Sequence, residues 1–154
     1  MLPSPTPRPE GVRAQFVDTL GALVLQGLSL GLFVQRAHWA VRGPDFLAFH
    51  RLFGEVYDGL ATATDRLAER AATLGAVDPM GLTMSVPVAA LPTRDGLALC
   101  QPITAGLTAH AAALSAAYAR AEEMGLIADA NALQSLVEDV EKLGWMVLTH
   151  TIPG

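Results

Sequence analysis

Hydrophobic residues recur at helical spacing over the first third of the chain. From about Val12 to about Val41 the apolar positions fall three or four residues apart, which is the period of one buried face of an α-helix. The recurring positions are Phe16, Leu20, Leu23, Gly27, Leu30 and Val34. Gly43-Pro44 breaks the pattern, and Pro44 can open the next helix because the first helical residue needs no amide donor. The pattern predicts one long helix followed by a turn.

The helical pattern continues in three further segments. The predicted helices span about Pro44 to Leu74, Arg94 to Met124, and the neighbourhood of Asp129 to Thr149. Pro102 either lies in the first turn of the third helix or kinks it. Gly125 is a typical helix end, and Asp129 or Asn131 can cap the fourth helix.

A proline-rich connection separates the second and third helices. The segment from Gly75 to Thr93 contains Pro79, Gly81, Pro87 and Pro92, with room for one short pair of helical turns. It is long for a link between antiparallel neighbours, which favours a crossover along the bundle. No strand pattern competes. The predicted fold is all-α, a ferritin-like four-helix bundle with a long crossover between the second and third helices.

Composition indicates a subunit of an oligomer. The length of 154 residues predicts one domain, with a proline-rich arm over residues 1–11 and the bundle over residues 12–154. Hydrophobic residues make up 51% of the chain, charged residues only 16%, and the mean hydropathy is +0.36. A polar shell around a lone monomer would be thin. We therefore expect much of the surface to be buried against other subunits.

The charge balance argues against strong DNA binding. The formal net charge is −5, the sequence pI is about 5.2, and Lys142 is the one lysine. Nonspecific DNA binding depends on cations that displace phosphate counterions, and in the arm Arg8 and Glu10 nearly cancel. We expect DNA binding to be weak or absent. The lone Cys100 excludes an internal disulfide and, with no secretion signal evident at the start, fits a cytoplasmic location.

Two uncharged stretches raise the alternative of a membrane protein. Thr19 to Gln35 and Gly96 to Ala119 carry no charged residue, and each approaches the length of a bilayer span. Both contain glycines and polar side chains, which gain little from lipid. A helix that is apolar nearly all round is also typical of a buried helix in a large assembly. We expect no membrane partner.

Two histidines and two carboxylates are the candidate metal ligands. His38 ends the first helix, His50 lies early in the second, and Asp65 and Glu69 lie one turn apart further along it. Taken singly, each residue has an ordinary interpretation. His38 could cap carbonyls at the helix end, and His50 could be a half-buried residue. The two carboxylates could belong to a solvated acidic stripe that pairs with Arg66 and Arg70. Jointly, imidazoles and carboxylates suit Fe(II), Mn(II) or Zn(II).

Helix geometry separates these candidates within one chain. His50 and Asp65 are fifteen positions apart on one helix, about 22 Å at the rise of an α-helix, so they cannot bind the same ion from one chain. If all four residues bind one metal, two subunits must pair antiparallel about a two-fold axis. One would contribute His38 and His50, and its partner Asp65 and Glu69.

The stretch from His38 to Arg70 contains a dense motif: His38-Trp39, Gly43-Pro44-Asp45-Phe46, His50, Tyr57, Asp65 and Ala68-Glu69-Arg70. This motif resembles the core motif of the Dps family, the small ferritin-like iron-oxidising cages of bacteria and archaea. Residues 139–146 resemble the family's final helix.

The resemblance implies a ferroxidase site at a two-fold interface. Its ligands would be His38 and His50 of one subunit and Asp65 and Glu69 of the other. It also implies a hollow homododecamer that stores ferric mineral, uses mainly hydrogen peroxide as oxidant, and protects against oxidative damage. Iron is the expected metal, and zinc or manganese could occupy the same site.

The chain departs from the family pattern at three places. The carboxylate usually found four residues after the second histidine is Gly54 here, and the neighbouring Glu55 points about 100° away. Ala40 replaces an asparagine that commonly follows the His-Trp pair. The arm lacks the lysines of DNA-binding members. The first departure puts a second iron in doubt.

Three further residues have roles suggested by position. Trp39, beside His38, could donate an electron during iron oxidation, and simple packing at the interface is the alternative. Asp139 and Glu141 match acidic positions that line a three-fold pore in relatives, and ordinary surface charge is the alternative. Two other functions stay open for the whole chain: a DNA-organising cage, and a redox-inert cage disabled by Gly54. In the inert cage, Gly54→Asp is expected to raise the oxidation rate.

Overall fold

Four long helices form the fold, and one long crossover connects the second to the third. The computed structural model describes residues 3–5, 9–78 and 85–152. The helices are α1 (Glu10–Ala40), α2 (Phe46–Thr73), α3 (Gly96–Glu123) and α4 (Ile127–Thr149). The described ranges contain no β-strand, only an isolated bridge between Arg42 and Asp95. The predicted all-α bundle is confirmed.

A tight turn reverses the chain between α1 and α2. Helix α1 begins at Glu10, two residues before the predicted start, and ends at Ala40. Gly43 has a φ of 115°, a conformation that L side chains rarely adopt, and its carbonyl accepts from the Phe46 amide at 3.1 Å. Helix α2 begins at Phe46, two residues after Pro44. The reversal places the last turn of α1 beside the first turns of α2.

A side-chain cap starts α3. The Asp95 carboxylate accepts a hydrogen bond from the Ala98 amide at 2.7 Å, which satisfies a donor that the helix start leaves free. Pro102 lies in the helix interior, beyond the first turn. Gly125, with a φ of 68°, follows the end of α3 as predicted.

The start of α4 differs from the prediction. The helix begins at Ile127 without a side-chain cap, so the expectation that Asp129 or Asn131 would cap it is wrong. Asp129 lies in the first turn, is 2% exposed, and accepts from Nε of Arg70 at 2.7 Å. This carboxylate therefore forms a tertiary ion pair with α2 and does not cap α4.

The crossover follows α1 from its middle to its end. Because α3 starts beside the end of α1 and runs in the same direction as α2, the connection must return along the bundle, as predicted. Its contacts are Ser29 Oγ with the Pro87 carbonyl, Arg36 Nη1 with the Ala89 carbonyl at 3.0 Å, and the Arg42 amide with the Arg94 carbonyl at 2.9 Å. Residues 85–95 contain no helical turn. Residues 79–84, and with them Pro79 and Gly81, lie outside the described part.

The core lies between two helix pairs, α1 with α2 and α3 with α4. Its largest fully buried side chains include Phe16, Leu20, Phe53, Leu60, Leu67, Ile103, Leu107, Leu114 and Leu133. By length and composition, α1 and α3 are each apolar enough to cross a membrane. Half of the most apolar window of α1 is buried inside the chain, and core helices of soluble proteins pass the same test. Passing this test of length and composition is therefore only weak support for a membrane span.

Candidate metal centre

The two predicted histidine ligands lie together at one end of the bundle. His38 is in the last turn of α1 and His50 is early in α2, and both are half-buried. Their rings stack, with centroids 3.8 Å apart and planes inclined by 20°. The turn at Gly43 produces this contact, because it brings the two helix ends side by side.

Reciprocal hydrogen bonds fix the tautomer of both rings. Nδ1 of His38 lies 2.6 Å from the carbonyl oxygen of His50, and Nδ1 of His50 lies 2.9 Å from the carbonyl oxygen of His38. A carbonyl oxygen can only accept, so each neutral ring carries its proton on Nδ1 and its lone pair on Nε2. Metal-binding histidines are commonly oriented in this way, with one nitrogen bonded to the protein and the other left for the metal. Each Nε2 atom therefore has a lone pair with which it can bind a cation.

Several apolar side chains close to the two histidines in the sequence are exposed at the surface. Trp39 is 60% exposed and Leu47 is 55% exposed, although both are hydrophobic. Phe46 stacks on His50 with ring centroids 5.0 Å apart. Exposed apolar groups around a polar centre are typical of a protein interface.

The two predicted carboxylate ligands lie on the exposed face of α2. Asp65 and Glu69 are exposed, and neither forms an ion pair within the described part of the chain. The alternative in which they pair with Arg66 and Arg70 is not supported.

Both arginines instead bind carboxylates of α4. Nη1 of Arg66 is 2.7 Å from Asp139, and Nε of Arg70 is 2.7 Å from Asp129. These ion pairs connect both arginines to α4. Asp65 and Glu69 therefore remain exposed and without an ion pair in the described part of the chain.

One chain does not assemble the four candidate ligands. Across residues 3–5, 9–78 and 85–152, no group of three or more His, Cys, Asp or Glu side chains is close enough to hold a metal ion. The helical distance between the histidine pair and the carboxylate pair gives the reason. The chain presents two separate partial sites, and the inter-subunit ligand set remains a prediction.

Gly54 directly borders the histidine pair. A Cβ atom at this position would lie 3.2 Å from both Cε1 and Nδ1 of His38. Glu55 is exposed and lines a surface cleft with Arg51 and Trp145. Glu55 therefore does not replace the carboxylate that the family pattern places at residue 54.

The two acidic residues suggested for a pore lie on different sides of α4. Asp139 pairs with Arg66 of α2, whereas Glu141 borders a groove between α3 and α4 with Trp145 and Leu148. Asp139 therefore has an intramolecular partner in the single chain. The pore role of both residues remains a prediction about the assembly.

A buried histidine that sequence reasoning did not single out lies in the centre of the bundle. His110 is fully buried, and its Nδ1 is 3.0 Å from Oε1 of Gln26. Burial lowers the pKa of His110 from 6.5 to about 4, so the ring is neutral at neutral pH. Its position within the uncharged stretch from Gly96 to Ala119 was the available sequence signal. It does not contribute to the histidine pair.

Comparison with known proteins assigns the family. The protein-family model that describes the ferritin-like domain matches residues 20–151 of this chain. The chain belongs to the ferritin-like family. General stress protein 20U of Bacillus subtilis (strain 168) is 29% identical over 140 residues, which cover 88% of this chain and 97% of that protein. The predicted membership of the Dps group is confirmed by relatives that carry its name.

One such relative is a DNA protection during starvation protein of Helicobacter pylori, 43% identical over 58 residues, which cover 38% of this chain and 40% of the relative. Five relatives, this one included, are matched over only 31% to 42% of their own length.

A solved structure with the same fold comes from Vibrio cholerae O1. It is described as a DPS protein and a member of a broad superfamily of ferritin-like diiron-carboxylate proteins. The TM-score is 0.81 at 21% identity, and the alignment covers 93% of this chain and 92% of that one. At this identity the likeness supports the fold.

Proposed function

We propose that this chain is the subunit of an iron-oxidising and iron-storing mini-ferritin that protects against oxidative damage. The observation that carries the proposal is the stacked histidine pair, in which two main-chain carbonyls hold both Nδ1 atoms and leave both Nε2 atoms for a metal. The ferritin-like family and the diiron-carboxylate description of the Vibrio relative support iron as the metal. Zinc and manganese would compete for the same ligands.

The complete site would form between two subunits of a cytoplasmic homododecamer. His38 and His50 of one subunit would meet Asp65 and Glu69 of an antiparallel partner, with two equivalent sites per dimer. The exposed Trp39 and Leu47 support this arrangement, since a partner placed on the histidine pair would also cover them. The exposure of Asp65 and Glu69 supports it from the other side.

The proposed reaction oxidises Fe(II) substrate with hydrogen peroxide. Two Fe(II) ions each give one electron to one peroxide, whose O–O bond breaks, and two protons complete two water molecules. The neutral imidazoles bind the ion without adding charge, and the two carboxylates balance the charge of one Fe(II) and favour the more highly charged Fe(III). Gly54 supplies no further acidic ligand, so we expect one firmly bound iron per site.

Removing the two candidate carboxylate ligands tests the proposed reaction most directly. In Asp65→Ala/Glu69→Ala, the rate of ferric absorbance increase after anaerobic Fe(II) loading and peroxide addition should fall at least about a hundredfold, to the rate in buffer. The matched control is Asp18→Ala/Glu123→Ala, which also removes two exposed carboxylates but leaves the candidate site intact. Equal rates in wild type, variant and buffer would contradict the ferroxidase proposal.

The redox-inert cage is the second candidate, and one observation favours it. Gly54 removes the family's additional carboxylate beside the histidine pair. A cage of this kind would assemble normally but would oxidise iron no faster than buffer. The wild-type rate in the same experiment distinguishes the two candidates.

A further inference from the structure

Gly54 and the His38 ring lie next to each other where α1 packs on α2. Gly54 is one turn after His50 on α2, and a side chain at residue 54 of a helix leans back over the turn that contains residue 50. The His38 ring lies over that same turn. A Cβ atom at residue 54 would be 3.2 Å from two ring atoms, closer than ordinary van der Waals contact.

One of the two His38 ring atoms that an added Cβ would crowd also donates the hydrogen bond to the His50 carbonyl. Nδ1 of His38 lies 2.6 Å from the carbonyl oxygen of His50 and would lie 3.2 Å from the added Cβ. In an α-helix, the carbonyl of residue 50 also accepts from the amide of residue 54. The imidazole therefore approaches this carbonyl from beside the Cα atom of residue 54. A side chain at that point would crowd the ring and require it to shift by a few tenths of an ångström.

We propose that Gly54 is a positioning residue for the metal centre, because its missing side chain lets His38 rest on α2 and bind the His50 carbonyl. This inference rests on the proposed function only in taking both Nε2 atoms as ligands of the metal substrate. It reverses the simpler interpretation of Gly54 as a lost ligand. With a side chain at residue 54, the His38 ring would have to shift by a few tenths of an ångström from its place in the reciprocal histidine pair.

Gly54→Ala tests the positioning role without adding a ligand. Alanine favours the helix, so the variant should fold and assemble, which size-exclusion chromatography checks. Zn²⁺ binding to the iron-free protein, measured by calorimetry, should weaken about tenfold or more, as when the partner that orients a metal-binding histidine is lost. The matched control is Gly11→Ala in α1, where an added Cβ meets no atom within 4 Å and Zn²⁺ affinity should be unchanged.

A crystal structure of metal-free Gly54→Ala gives a second readout that does not depend on activity. The His38 ring should be displaced, and its Nδ1 should lie further from the His50 carbonyl than in wild type. An unmoved ring together with unchanged Zn²⁺ affinity would overturn the positioning role, even if wild type oxidises iron. Weakened Zn²⁺ binding in the variant would support it even if wild type fails to oxidise iron.

Gly54→Asp separates the two interpretations of this residue. If the missing carboxylate limits the reaction, aspartate should raise the oxidation rate above that of wild type, and the positioning proposal is then wrong. If space for His38 limits the reaction, aspartate should lower the rate, as alanine does. The Gly54→Ala rate, measured in the same experiment, shows how much of the change is due to crowding alone.

Discussion

His110 shows how one buried residue can set the response of the fold to acid. Its ring is enclosed among α1, α2 and α3, where it meets Gln26 and lies near Thr64, both uncharged. Nε2 of His110 and Oγ1 of Thr64 are buried without a hydrogen-bond partner in the described part of the chain. A proton added to this ring would place a positive charge where no described acidic group pairs with it.

Acid should therefore destabilise the bundle through His110. The pKa falls from 6.5 in the unfolded chain to about 4 in the folded one, so the unfolded state takes up the proton first. Stability contributed by the neutral ring is complete above pH 6.5, declines as the pH falls from 6.5 to 4, and the total loss is about 3 kcal/mol per chain.

Denaturant unfolding at pH 7, 5 and 4 measures this loss. In His110→Gln, which keeps a polar side chain but does not titrate, the decline between pH 6.5 and 4 should be smaller by that amount. Parallel declines in wild type and variant would show that other groups control the acid response.

At the scale of the elements, two ion pairs join α2 to α4 and differ in burial. Asp129 is 2% exposed and its partner Arg70 is 25% exposed, whereas Arg66 and Asp139 are 40% and 54% exposed. An unpaired charge costs more in the interior than in water. The inner pair should therefore contribute more to the docking of α4.

Two matched substitutions compare these pairs. Asp129→Asn should lower the free energy of unfolding by about 2 kcal/mol, because it leaves the half-buried Arg70 without a counter-charge. Asp139→Asn should lower it by less than about 1 kcal/mol. Both values come from denaturant unfolding monitored by circular dichroism, and equal losses would refute the difference assigned to burial.

The elements themselves were largely predictable from sequence, and their contacts were not. Apolar spacing located all four helices, and prolines and glycines marked the turn and the crossover. The prediction failed at Asp129, where a typical capping residue instead meets Arg70, a partner 59 positions away along the chain. Helix propensity is local, and a tertiary ion pair of this kind overrides it.

At the scale of the whole molecule, the sequence alone predicts an assembly. High hydropathy and few charges predicted buried subunit contacts, and spacing along α2 predicted that one chain could not complete the site. The structure adds the stacked histidines and the exposed Trp39 beside them. Neither the reciprocal hydrogen bonds nor the contact with Gly54 was predictable, because each depends on how α1 and α2 pack.

The central claim is that two subunits share each metal site, and co-assembly of two inactive variants tests it most directly. His38→Ala/His50→Ala keeps only the carboxylate half, and Asp65→Ala/Glu69→Ala keeps only the histidine half. In a dimer with one subunit of each kind, one of the two sites regains all four ligands.

Equal co-expression with random pairing should therefore restore about a quarter of the wild-type peroxide-dependent oxidation rate, although each variant alone stays at the buffer rate. A co-assembled protein that is as inactive as its parents, while size-exclusion chromatography shows intact mixed shells, would contradict the shared site.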